Sequence, residues 1–210
     1  MYESADVPRE FVRYLTLRRV VGILGILFPW LLAIGCPLLS GCTTLAESIS
    51  AYYGTVVRDL FVGILFVIAW FLFAYRGYEP RDDIAGDLAC VFALVVALFP
   101  TTSPNPVIRG THYAGAAALF LVLAYFSIFL FTRTRETGSE TARKRSRNRV
   151  YLACGLIMLV CVACVPLSST VLSDGTIAVL KPVFWLESLA LSAFGVSWLI
   201  KGRTLLQDAS

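Results

Sequence analysis

Six apolar runs, each close to the length of a bilayer crossing, divide this chain: 20–39, 57–75, 84–100, 113–131, 150–167 and 182–200. A hydrocarbon core about 30 Å thick takes roughly 20 helical residues. Backbone in lipid finds no water to bond to, so each run is expected as an α-helix. The strict alternation of an outer-membrane barrel strand is absent. With 58% hydrophobic and only 15% charged residues, there is too little polar surface for a soluble domain of this size. The expectation is all-α: one polytopic membrane domain, residues 1–210, with six transmembrane helices.

The positive charges orient it. Arg9, Arg13, Arg18 and Arg19 precede the first run, and Arg76 and Arg81 follow the second. Arg133, Arg135, Arg143, Lys144, Arg145, Arg147 and Arg149 follow the fourth, and Lys201 and Arg203 follow the last. Only Arg58, Arg109 and Lys181, of 18 Lys and Arg, fall on the other side. By the positive-inside rule both termini are expected in the cytoplasm, N-in and C-in. Residues 132–149 then form a basic cytoplasmic loop. Its segment Arg143–Arg149 is placed to lie along anionic headgroups, although orientation alone also accounts for it. Nothing points to nucleic acid.

The cysteines carry no metal spacing. Cys90, Cys154, Cys161 and Cys164 lie within runs, as packing residues do. Cys36 and Cys42 approach the outer surface, but six helical residues would rotate their side chains apart, so no disulfide is expected. Leu39-Ser40-Gly41-Cys42 resembles a lipobox. Against processing there, the apolar run is long for a signal peptide and the basic tail also carries Glu3, Asp6 and Glu10. The outward-going runs close on Pro37, Pro100 and Pro166, each followed by small hydroxyl residues within a few positions. That pattern suggests three helical hairpins of similar length. Ala114 with Ala118, and Ser188 with Ser192, have the small-xxx-small spacing of close helix contacts. Trp70, Trp185 and Trp198 sit near run ends, as interfacial aromatics do.

Chemistry is concentrated at the outer ends. Thr44-Leu45-Ala46-Glu47 fits a capping box, which predicts a short helix from Thr44 through Tyr53 carrying Glu47, Ser50, Tyr52 and Tyr53. Arg58 and Asp59 open the second run, Arg109 and His112 precede the fourth, and Lys181 starts the last. Glu187, six residues on, would lie about 9 Å below its helix end. A carboxylate at that depth needs a cation, a hydrogen bond or a proton. Arg58, Arg109 and His112 are its expected partners, around an outward polar cavity among the second, fourth and sixth helices. A buried ion-pair network that only pins helix ends is the competing reading. At the inner face, Asp87 is expected to pair with Arg76 or Arg81. Ser50, His112 and Asp59 have the groups for nucleophilic catalysis but no elbow or spacing that joins them. With one histidine, zinc lacks its usual three protein ligands, and no cofactor is indicated.

Ala97-Leu98-Phe99-Pro100, a polar loop, then His112-Tyr113-Ala114-Gly115-Ala116 and Phe120 resemble bacterial six-helix membrane proteins grouped as domain of unknown function 998. These are distantly similar to the Frag/DRAM/Sfk membrane proteins. Ser48-Ile49-Ser50-Ala51-Tyr52-Tyr53, Arg58-Asp59, Phe61-Val62-Gly63, Phe184-Trp185-Leu186-Glu187-Ser188 and Phe194-Gly195-Val196-Ser197-Trp198 extend the likeness. The resemblance implies six helices, both termini inside, a bacterial inner membrane and an extracytoplasmic site, but no activity. A weaker likeness to the seven-helix ceramidase superfamily stops at its three zinc-binding histidines, since only His112 is present here. The expected function is therefore non-enzymatic: an outward pocket for a lipid headgroup or small polar ligand, with Arg58 and Arg109 on the anionic group. Asp59, His112 and Glu187 would orient it, beneath a lid that carries Glu47, Tyr52 and Tyr53. A lipid hydrolase using His112 and Ser50, and a channel or transporter, are the alternatives.

Overall fold

The computed structural model describes residues 9–40, 42–77, 79–133 and 141–202, with the side chains of residues 9–14 and 40 outside that description. The side chains of Arg9 and Arg13, and residues Gly41, Arg135 and Arg203, therefore lie outside it. Among the described residues there are seven α-helices and no strand: α1 Arg9–Ser40, α2 Arg58–Ala74, α3 Pro80–Leu98, α4 Pro106–Tyr125, α5 Ala142–Val171, α6 Asp174–Leu180 and α7 Pro182–Lys201. A 3-10 turn spans Ser50–Gly54 and a π turn, Phe126–Leu130, continues α4.

Four segments are long and apolar enough to cross a membrane: Leu15–Leu39, Pro106–Leu130, Ala142–Val171 and Pro182–Lys201. The protein is thus an all-helical, multi-pass membrane protein. Helix α2 is 17 residues long, and α3 carries Arg81, Asp82, Asp83 and Asp87 in its first half.

The six long helices form a closed ring in the order α1, α2, α3, α4, α5, α7 and back to α1, with α4 also touching α7 across it. Phe28, Leu32, Phe61, Leu72, Leu123, Met158, Phe184 and Phe194 fill the interior. One end of the bundle gathers the starts of α1, α3 and α5 and the ends of α2, α4 and α7; it holds most of the Arg and Lys and is termed the basic end. The opposite end carries residues 42–57, 99–105 and 172–181 and is termed the far end.

Several expectations need correction. The three consecutive pairs, α1 with α2, α3 with α4 and α5 with α7, are each in contact, but α1 lies most extensively against α7. Glycine permits that approach: a Cβ on Gly22 would stand 2.8 Å from the Gly195 carbonyl oxygen. Pro37 and Pro166 do not end their helices, which run on to Ser40 and Val171. The hydroxyls of Ser168, Ser169 and Thr170 donate to the carbonyls of Val165, Pro166 and Leu167 at 2.7, 2.8 and 2.9 Å, so each is bonded within its own helix. The basic stretch is not all loop. Thr141 accepts from the Lys144 amide at 3.2 Å and starts α5, so Arg143–Arg149 occupy its first two turns. At 32 and 30 residues, α1 and α5 extend about 48 and 45 Å, well beyond a bilayer core.

The small-residue contacts also differ. Ala114 is exposed; it is Gly115 that meets α3, where an added Cβ would lie 2.5 Å from Val95. Ala85, Ala89, Ala93 and Ala97 form a buried stripe along α3. Trp70 and Trp185 are exposed, but Trp198 is 1% exposed, within a ring cluster of Tyr75, Phe126, Phe131 and Phe194. Its helix turns it into the bundle at the same depth at which Tyr75 closes α2.

Candidate functional site

Two structures hold the far end together. The first is a disulfide between Cys36 and Cys42, with Cα atoms 5.5 Å apart. A helix through both residues would hold them apart, but α1 stops at Ser40, before Cys42. The second is a two-bond clamp between α7 and residues 47–49. The Phe184 amide, one of the free N–H groups of the first turn of α7, donates to the Glu47 carbonyl at 3.0 Å. In return, Glu187 Oε2 accepts from the Ile49 amide at 2.6 Å. Ile49 precedes the 3-10 turn, so Glu187 supplies from a distant helix the cap that the turn's own residues do not.

This corrects two expectations. No helix begins at Thr44: the segment is irregular up to Ser50, and Glu47, instead of closing a capping box, faces Lys181 Nζ at 3.8 Å. Glu187 takes a backbone amide rather than Arg58, Arg109 or His112. Its carboxyl group is held by a local backbone donor, as a partly buried polar group requires.

Each remaining candidate has its own place. His112, 1% exposed, sets Nδ1 2.6 Å from the Phe99 carbonyl. That oxygen can only accept, so Nδ1 carries the proton. The bond ties α4 to the last residue before Pro100. Arg109 Nη1 donates to the Ser103 carbonyl at 2.9 Å and the Pro104 carbonyl at 3.4 Å, within the loop before its own helix. Arg58 lies over the Tyr53 ring at 5.2 Å from its centroid and is exposed, as is Asp59. Tyr52 is buried edge-on to Phe184, with its hydroxyl accepting from the Ala46 amide at 3.4 Å. Thr101 Oγ1 donates to the Ser50 carbonyl at 3.4 Å, which joins the α3–α4 loop to the turn.

The structure therefore brings Glu47, Tyr52, Lys181 and Glu187 together, and Tyr53 with Arg58, but it does not bring Ser50, His112 and Asp59 together. The Ser50 hydroxyl pairs with Ser48 at 3.1 Å, and His112 is engaged by Phe99. Among the described residues, no three His, Cys, Asp or Glu side chains gather as a metal site would need.

The basic end has a polar cluster that sequence reasoning overlooked. Asp82, with its side chain 2% exposed, faces Arg133 at 3.6 Å, and Arg133 also reaches Glu79 at 3.0 Å. Lys201 Nζ lies 3.5 Å from the Phe131 carbonyl, over that residue's ring. Arg18 lies over Tyr75 and donates to the Lys201 carbonyl at 3.3 Å. A charge in the first turn of an apolar helix was the available signal for Asp82. As expected, Asp87 pairs with Arg76, at 3.4 Å; Arg81 does not take part.

Compared with known proteins, the chain matches no family model, no curated protein and no solved structure.

Proposed function

We propose that this is a non-enzymatic protein of a bacterial inner membrane. In this reading α2 and α3 complete six spans, both termini are cytoplasmic, and the far end presents a recognition surface for an anionic lipid headgroup or small polar anion. The observation that carries it concerns the three cations that break the positive-inside pattern. Lys181 is paired with Glu47 and Arg109 is bonded to loop carbonyls. Arg58 is exposed, rests on Tyr53, and has no carboxylate partner among the described residues. A cation kept on the translocated side without a counter-ion is available to an anion, and the clamp and disulfide fix the segment that carries Tyr53. The disulfide also suits an extracytoplasmic far end, since disulfides persist in oxidising compartments.

The resemblance to the domain of unknown function 998 proteins agrees with this topology. The hydrolase reading lacks a contact between Ser50 and His112. The transporter reading has no support from the core, a single apolar cluster from Cys36 and Tyr52 to Tyr151 and Trp198.

The test is mass spectrometry of the detergent-purified protein. The amount of anionic lipid or small anion that co-purifies is expected to be the same for the native chain and Arg58→Lys and lower for Arg58→Ala. Unchanged retention by Arg58→Ala removes the proposal.

A further inference from the structure

A groove of about 390 Å³ runs between α3 and α4 on the outer surface of the bundle, lined by Arg81, Ile84, Ala85, Leu88, Leu121 and Tyr125. It opens at the basic end, where Arg81 stands in the first turn of α3. From Arg81 to Leu88 it follows α3 for about 10 Å toward the membrane centre. Ala85 makes its floor, because so small a side chain leaves space between neighbours. Ile84, Leu88 and Leu121 are substantially exposed along its walls.

Charge decides what fits. The acidic residues of this part of α3 are directed elsewhere: Asp82 to Arg133, Asp83 to the Gly77 amide at 3.1 Å, and Asp87 to Arg76. Arg81 has neither a carboxylate nor a hydrogen bond among the described residues, and the Tyr125 hydroxyl is likewise without a partner. A guanidinium and a phenol at the mouth of an apolar trough suit an oxyanion attached to an acyl chain, and in a bilayer the phosphate of a phospholipid is the abundant one.

We propose that this groove holds an anionic phospholipid of the leaflet at the basic end. Its phosphate rests on Arg81 and Tyr125, and one acyl chain lies over Ala85 and Leu88. The site is at the opposite end of the bundle from Arg58 and stands whether or not the far end binds anything.

The experiment is native mass spectrometry of the full chain from mixed micelles containing equal phosphatidylglycerol and phosphatidylcholine. The native protein is expected to retain phosphatidylglycerol about fivefold over phosphatidylcholine, the ratio that one basic residue near the membrane surface supplies. Arg81→Lys should keep most of that preference, and Arg81→Ala should bring it close to one in an Arg58→Ala background, where the far end no longer contributes. Leu121→Trp, which fills the trough and leaves the charge, should lower retention of both lipids. Soluble glycerol phosphate should not compete. A preference that survives Arg81→Ala in that background places the anion elsewhere, at Arg143–Arg149, and overturns the proposal. So does full retention by Leu121→Trp, and so does competition by glycerol phosphate alone.

Discussion

Glu187 is the residue on which the far end turns. Its carboxylate accepts from the Ile49 amide at 2.6 Å, and the Phe184 amide answers with a bond to Glu47. Removing the carboxylate leaves a donor in a region with little water, which costs about 1–3 kcal/mol. Glu187→Ala is therefore expected to lower thermal stability in detergent and to speed amide exchange across residues 47–54. Glu187→Gln keeps a carbonyl acceptor and should do much less. Exchange across 47–54 that is the same in Glu187→Ala and the native chain would show that the clamp does not hold the segment. The need for a partner was legible in the sequence, because a carboxylate one or two turns into an apolar helix must be satisfied. Its identity was not, since a backbone amide leaves no residue-type signature. His112 teaches the same lesson: its partner is the Phe99 carbonyl, which any side chain at position 99 would have offered equally.

At the scale of elements, the crossing of α1 and α7 depends on two glycines meeting. A Cβ on Gly195 would run into the Gly22 carbonyl oxygen and stand 2.6 Å from Ile26 Cγ1. Gly195→Ala should cost about 1–3 kcal/mol by overpacking, read as a lower unfolding temperature in detergent. Gly63, in α2, has nothing within 4 Å of an added Cβ, so Gly63→Ala should stabilise the helix by about 0.5–1 kcal/mol. Equal effects at the two positions would mean that the crossing is not close. Apolar length located the helices well, with α2, α4 and α7 beginning or ending near the edges of their runs. It located helix ends poorly where polar residues continue a helix out of the bilayer, as at the start of α5. There the Thr141 cap and the helix-forming Ala, Arg and Lys residues start the helix before the apolar run begins.

For the whole molecule the issue is orientation. Val179 is 79% exposed at the far end, and Arg143 is exposed at the basic end. A cysteine at Val179 is expected to react with a membrane-impermeant maleimide in intact cells, and one at Arg143 only after permeabilisation. The reverse pattern would sink the proposed topology, and with it the placement of Arg58 outside. The count of apolar runs, the helical class and the side on which charge accumulates followed from the sequence alone, because the bilayer acts on each segment separately through length, hydrogen bonding and charge. Which helices touch, and which polar group meets which, was decided only by the tertiary structure. Those outcomes depend on close approach between residues far apart in the chain, such as Gly22 with Gly195 and Glu187 with Ile49. No local pattern encodes them.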